Sequence, residues 1–500
     1  MNRLSNLIDM LVNTTPLGEL VNDRHSRLNP TVVARVERPG CTFDLVQIVR
    51  DCKRTGSKIC IAGGRHAMGG QQFAAGAVLV DMTEMRQVHY FDRKNGLIKV
   101  DAGMRWPELI DYLQHTQSDR AVGRTWTIRQ KQTGCDTLSL GGALSANVHG
   151  RGLHSPPIVA DVESFELVTA GGDVVNCSRT ENIDLFVLAI GGYGMFGPIA
   201  TATLRLAPLT LLRRSVQVAT SDIAVDLLER AAADGALYGD FQFNIDHDSK
   251  DFLQNGIVST YRRASETEAI APANSVKSGN NNDEHKALSL DDWHELVYLA
   301  HADKARAFQK YQRHYLASDG QTYWSDTFQL ATYLDDYHRH IDHRLGAQCP
   351  GTEMISELYV PRHCLALFLE RASTFLKSEK ASVIYGTVRM IEKDTETFLP
   401  WATENFACIV FNLHVDHSPA GQAAARRWFC GLIDLAVSLK GSYYLTYHRW
   451  ASAPQLLACY PQIERFLERK ERNDPDQIFY SDWFGYLLSL LKKDNGPLAF

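Results

Sequence analysis

Three glycine clusters stand out in the N-terminal part of the chain: GGRHAMGGQQF at 63–73, GCDTLSLGGALSANVHGRGLH at 134–154 and GGYGMFGPI at 191–199. Glycine lets the backbone approach a ligand closely, and successive amides can form a concavity that binds an anion. Each cluster alone reads as an ordinary turn. Together in one domain they suit a diphosphate joined to a flat ring system. Gly192, Gly194 and Gly197 also match G-x-G-x-x-G, but the flanking elements are in the wrong order for a nicotinamide dinucleotide. That fingerprint needs a strand before the glycines, a helix after them and an acidic residue about 20 positions on. Here the helical run LFVLAI precedes, the β-type run IATATLRL follows, and the acidic partner is missing.

Other side chains invite chemistry more weakly. Glu357 and Tyr359 lie in the strand-like SELYVPR, where alternate residues share a face. They line a pocket together, or Tyr359 is a core aromatic. His414-Val-Asp416-His417 offers two imidazoles at a strand end, which does not define a metal site without further placed ligands, and no metal is expected. His338, His340 and His343 read as the solvated side of a helix.

The elements that must position these residues follow from hydrophobic periodicity. Strands are expected at Thr31–Val36, Lys58–Ala62, Ala77–Asp81, Leu97–Val100 and Ile199–Leu206, and helices at Phe43–Arg54, Trp106–Leu113 and Ile183–Ile190. Phe165–Thr169 and Asp173–Cys177 flank Gly171-Gly172 and predict a hairpin. The polar stretch 264–287 predicts an exposed loop. Beyond it, Trp293–Leu316 and Thr327–Ile341 read as long amphipathic helices, and Glu357–Val360, Ala381–Ile391 and Ala407–Val415 as strands. The fold class is α+β, with a second α+β domain inserted between the first and a C-terminal segment.

Composition sets the outer limits. The chain has 500 residues, 45% hydrophobic and 22% charged, the profile of two or three globular domains. Lys+Arg number 52 against 58 Asp+Glu, a net charge of −6, so no basic excess points to a nucleic acid. Mean hydropathy is −0.22, and no apolar run approaches the ~18 residues of a membrane span. Asp9 interrupts the one candidate signal-peptide run. The ten cysteines are scattered without a CxxC pair and read as small core hydrophobes in a reducing compartment. A cytoplasmic location is therefore expected. A small-molecule substrate is the expected partner; the oligomeric state is not legible.

In order and content, the three clusters resemble the FAD-binding domain of the vanillyl-alcohol-oxidase/p-cresol-methylhydroxylase (PCMH-type) flavoprotein superfamily. GGRHAMGGQQFAAGAVLVDM is similar to the segment of cytokinin dehydrogenases and alditol oxidases whose His carries covalent FAD, and His66 holds the matching position. SLGGALSANVHG, the hairpin ESFELVTAGGDVV and DLFVLAIGGYGMFGPI resemble stretches of decaprenylphosphoryl-ribose oxidases. YPQIERFLERKERNDPDQIFYSDW is similar to the closing segment of sugar-oxidising members.

The resemblance implies two small subdomains around FAD and an inserted substrate (cap) domain over the flavin ring. Its boundaries are an extension at 1–27, the FAD domain at 28–209, the cap at 210–450 and a returning segment at 451–500. The implied cofactor positions are Ala62, Gly63, Gly64, Arg65, His66, Ala67, Gly70 and Gln71 from the first cluster. Cys135, Ser139, Gly141, Gly142, Ser145 and His149 come from the second, and Gly194, Gly197 and Ile199 from the third. Cys135 sits where some relatives place a second flavin link, but Asp136 replaces their Pro, and a small buried thiol fits better. His149, Arg151 and His154 lie in a loop after the cofactor strand that faces the substrate in sugar-oxidising relatives. Arg389, in YGTVRMIEKD, resembles a cation facing flavin and substrate, although Thr387 replaces the preceding Glu.

The chain also departs from those relatives. Their flavin-proximal Lys corresponds to Tyr447 in GSYYLTYHRW, followed by His448 and Arg449. Either the polar role has moved to Tyr447 or His448, or the substrate differs. The implied activity is hydride removal from a C–OH donor (a polyol, sugar or sugar-like alcohol), with oxygen or another acceptor reoxidising the flavin. The alternatives are oxidation at a C–N bond, a flavoprotein that acts by binding, and reduction of a C=C bond. RTWTIRQ lacks the Asp that cytokinin dehydrogenases use as base.

Overall fold

A computed structural model describes residues 18–117, 125–265, 288–331, 334 and 336–495. Near the N-terminus, Arg35–Glu37, Val78–Asp81 and Ile59–Ala62 form a parallel sheet in that spatial order. The helix Thr42–Thr55 carries the chain from Arg35–Glu37 across to Ile59–Ala62, on the far side of the central strand. Leu45, Val46, Val49 and Cys52 bury one face of that helix, and Gly56, at φ 68, ends it by donating to Cys52 and Lys53 carbonyls. The expected strand 31–36 is broken at Ala34, whose amide turns to the Ala77 carbonyl.

A five-stranded antiparallel sheet follows, in the order Val174–Ser178, Val162–Val168, Ile199–Arg205, Leu97–Asp101, Val88–Asp92. Its first two strands are the expected hairpin, with Val174 opposite Val168. The chain then builds an eight-stranded antiparallel sheet from strands between Leu211 and Tyr443. At its centre lie Ala236–Phe243, Val383–Ile391, Phe406–Asp416 and Gly351–Pro361. The C-terminal segment returns to the first sheet: Ile59 donates to Ile478 and accepts from Tyr480. Phe479 packs with Leu45, Val49 and Val78.

Three expected elements differ. The "cofactor strand" is the helix Leu140–Ala146: Ser139 Oγ caps it by accepting from Gly142 N, and Leu140, Ala143 and Leu144 bury one stripe. The helix expected over 293–316 is two, Leu290–Ala302 and Lys304–Ala317, because Asp303 caps the second through Arg306 N. Within 327–341, Thr327–Gln329 forms a single 3-10 turn and the helix is Tyr337–Leu345. His340 and His343 on it are exposed as expected, but His338 turns inward to a carboxylate. The predicted loop 264–287 lies outside the described residues beyond Ser265, as does the extension before Gly18. Among the described residues, no helix is long and apolar enough to cross a membrane.

Candidate functional site

The three glycine clusters converge on one cleft. Gly63, Gly64, Arg65, His66 and Ala67 follow the strand Ile59–Ala62 and line it consecutively. Arg65 adopts φ 59, and its guanidinium is tied to Asp81 at 2.9 Å. The loop therefore contributes backbone rather than a free cation. Among the described residues, the amides of Gly64, Arg65 and Ala67 donate to no protein acceptor, and such a run of orphan N–H groups suits a diphosphate.

Space explains the glycines. A Cβ on Gly63 would lie 1.9 Å from Ser139 Oγ, and one on Gly64 would lie 2.4 Å from the Thr137 carbonyl. The third cluster passes equally close to the hairpin strand: Gly197 has φ 133, and a Cβ there would meet Val168 O at 2.2 Å. Gln71, Ser139, Gly141, Gly142, Ser145, Gly194, Gly197 and Ile199 all border the cleft. Ala62 and Gly70 do not. Ala62 is the buried last residue of its strand, and Gly70, at φ 74, faces Asn29 and Arg449.

His66 is 7% exposed and lines the cleft. Its Nδ1 lies 2.8 Å from His25 Nε2 and its Nε2 lies 2.9 Å from Thr137 Oγ1. Burial, with the charges of His25 and Arg24 nearby, pushes its pKa well below the ordinary value, so the ring is neutral. Cys135 also borders the cleft; burial pushes its thiol up to about 12, which keeps it protonated. This is the small-thiol reading.

At the opposite end, Glu357 is the one carboxylate among the described residues lining the cleft. Its Oε1 lies 2.8 Å from His149 Nε2 and accepts the Tyr359 hydroxyl. Burial would raise the carboxyl, but His149, Tyr359 and Arg389 outweigh it and hold it below the usual range. Tyr447 lines the cleft beside it, and burial together with Glu357 drives its phenol well above the ordinary value. Its hydroxyl therefore stays protonated. Arg389 borders the same space and donates to Thr133 Oγ1.

Four further expected site residues lie elsewhere. His448 is buried in an aromatic stack, its ring 5.6 Å from Tyr443 and 4.7 Å from Phe429, outside the cleft lining. Burial lowers its pKa to about 3, so it stays uncharged and packs as an aromatic. His154 is exposed and faces Glu392 at 3.8 Å. Tyr359 is a core aromatic stacked on Trp401 at 4.5 Å, reaching the site only through its hydroxyl to Glu357. Arg151 lines instead an adjoining chamber, paired with Asp240 and stacked over Phe328. Gln132, Tyr193, Tyr444 and Thr446 border the cleft without having been singled out. Tyr193 lies within the third glycine cluster, and Tyr444 and Thr446 lie just before Tyr447, so position in those stretches was the signal that could have found them.

Comparison with known proteins addresses the same residues. Residues 33–178 match the family model described as FAD binding domain. Cytokinin dehydrogenase 4 of Oryza sativa subsp. japonica is 33% identical over 199 residues, covering 38% of this chain and 36% of that protein. The uncharacterized oxidoreductase ORF5 in the fasciation locus of Rhodococcoides fascians is 31% identical over 195 residues, covering 39% of this chain and 42% of its own length. The match thus spans little over a third of these relatives. L-gulono-1,4-lactone dehydrogenase of Mycobacterium tuberculosis (strain CDC 1551 / Oshkosh) is 22% identical over 448 residues, 90% of this chain and 94% of that protein. The match to an FAD binding domain covers the first two glycine clusters of the cleft and is consistent with the PCMH-type flavoprotein superfamily.

Proposed function

We propose that the chain oxidises a C–OH donor of the polyol, sugar or sugar-like class, with FAD attached covalently through His66. The observation that carries the first part is the lone cleft carboxylate, Glu357, held ionised beside the protonated Tyr447. When bound, FAD supplies the hydride acceptor. Glu357 takes the proton from the substrate hydroxyl, Tyr447 orients that hydroxyl, and His149 stabilises the carboxylate between turnovers. Arg389 supplies fixed positive charge where negative charge develops.

The adjoining chamber supports a hydroxyl-rich substrate. Asp240, Gln242 and Asn412 line it, and Asp240 Oδ1, Gln242 Oε1 and Asn412 Oδ1 are buried acceptors with no protein partner. Buried acceptors left unpaired are costly, and hydroxyl donors satisfy them. The sheet from Leu211 to Tyr443 is the cap in this reading, and 451–500 returns to the FAD domain. The covalent link is supported by the neutral ring of His66 at the cleft wall.

Anaerobic mixing with polyols, aldoses, sugar lactones and primary and secondary amines tests the donor class through bleaching of the flavin band. Bleaching by a hydroxyl donor is expected. Bleaching by amines alone would move the assignment to C–N oxidation, and a fully loaded flavoprotein that no donor reduces would end the enzymatic reading.

A further inference from the structure

Away from the flavin cleft, histidines from three elements converge on one buried carboxylate. Glu353, on the strand Gly351–Pro361, is 5% exposed. His301, at the end of the helix Leu290–Ala302, places Nε2 2.8 Å from Glu353 Oε1. His414 stands opposite Glu353 in the neighbouring strand and brings Nδ1 to 3.2 Å from the same oxygen. Glu353 Oε2 accepts from the Tyr337 hydroxyl and lies 2.8 Å from His338 Nδ1. The donor atoms of His301, Glu353 and His414 lie within 4.8 Å of one another.

The outer atoms of the set are held as well. His301 Nδ1 donates to the Val297 carbonyl at 2.8 Å, and His414 Nε2 faces Asp416 Oδ1 at 3.6 Å. Gly351 makes room for the His414 ring, since a Cβ there would lie 2.4 Å from its Cε1. Metal-ligating imidazoles and carboxylates are commonly fixed through their far atoms in this manner. The inner contacts also pose a problem of matching. With Nδ1–H donated to Val297, a neutral His301 presents the Nε2 lone pair to a carboxylate lone pair. A cation between them resolves the conflict at His301 without burying an extra proton.

We propose that His301 Nε2, His414 Nδ1 and Glu353 Oε1 form a site for a divalent transition metal of the zinc class. Ligands about 2.0–2.2 Å from a tetrahedral ion lie about 3.3–3.5 Å apart. The observed 2.8 and 3.2 Å therefore need to lengthen, the shorter by roughly half an ångström. Two imidazoles and one carboxylate leave one position open. Glu353, Tyr337 and His338 line the large chamber, so that position is reached from it. Glu353, Ile355 and Glu357 share one face of the strand, and four residues at ~3.3 Å separate the metal from the flavin-side carboxylate by about 13 Å. The open position then takes a hard oxygen donor at the far end of the substrate. This last use rests on the proposed oxidation; metal occupancy itself does not.

The test uses the full-length, flavin-loaded protein stripped with a chelator and titrated with Co²⁺ as a spectroscopic probe, then with Zn²⁺ in competition. Tight binding of about one equivalent, with d–d bands of a four- or five-coordinate site, is expected. His414→Ala and His301→Ala should each weaken binding at least about a hundredfold while flavin absorbance and the circular dichroism spectrum stay unchanged. Failure of the stripped wild-type protein to bind Co²⁺ at about 100 μM would overturn the site without any variant. So would binding that persists in both variants, for instance at the exposed Asp246-His247-Asp248 group. Neither result depends on flavin reduction, so failure here and failure of the oxidase reading are separable.

Discussion

Replacing Glu357 with Gln removes the one carboxylate that lines the flavin cleft among the described residues and preserves its shape. Both contacts to Oε1, from His149 Nε2 at 2.8 Å and from the Tyr359 hydroxyl, go to an oxygen that Gln retains. What disappears is charge and basicity. A positioned general base contributes about 10²- to 10⁴-fold, or about 2.7–5.4 kcal/mol at about 1.36 kcal/mol per decade. Exchanging a charge-assisted for a neutral hydrogen bond changes stability by only about 1 kcal/mol. The variant should therefore hold its flavin and melt within a few degrees of wild type, while reduction at saturating donor slows by two to four decades. Anaerobic stopped-flow absorbance measures the rate, and thermal melting measures the fold.

The pH dependence gives an internal control. The net depression of the Glu357 carboxyl leaves the base ionised down to below the ordinary Glu value of about 4.3. The stability it contributes is present above the unfolded value and lost as pH falls through the folded one. The wild-type rate should fall only in that acidic range, and the Gln variant should lack this limb. A reduction rate within about threefold of wild type, in a fully flavinylated variant, would refute Glu357 as the base.

Three further outcomes follow from the same geometry. Gly64→Ala places a Cβ 2.4 Å from the Thr137 carbonyl and should cut flavin occupancy at least tenfold, about 1.4 kcal/mol, read from the ratio of flavin to protein absorbance. Asp161 is buried, and burial outweighs Arg129 and Gln130 to raise its carboxyl to about 6. Its stabilising contribution is complete below the unfolded value near 3.9 and is lost as pH rises through about 6. Asp161→Asn should therefore melt higher than wild type at pH 8, by an amount on the order of 2 kcal/mol, with the gap closing near pH 4. His448→Phe, a swap within an aromatic stack, should leave flavin reduction within about threefold of wild type.

Much of the FAD domain was legible because its signals are local. The helix Thr42–Thr55 has an apolar stripe and a glycine stop, and the Val162–Val168/Val174–Ser178 hairpin has its Gly-Gly turn. The glycine clusters showed which backbone approaches a ligand, since chain sterics set those positions. Side-chain direction was less legible. Tyr447 and His448 are adjacent in sequence, and only the packing of Tyr443, Phe429 and Trp450 around His448 decides which faces the cleft. Ser139 and Asp303 act as helix caps, a role that competed with the apolar pattern and reset two elements. The Glu353 cluster was invisible because its ligands come from positions 301, 353 and 414, far outside any spacing motif.

The most direct test of the flavin site is an absorption spectrum of the purified protein, followed by acid precipitation of wild type and His66→Ala. The account predicts a yellow protein whose flavin stays in the washed pellet, and a His66→Ala variant that releases all its flavin to the supernatant. Complete release from wild type would remove the covalent bond at His66 and leave the FAD cleft. A colourless protein that takes up no FAD on incubation would contradict the account at its base.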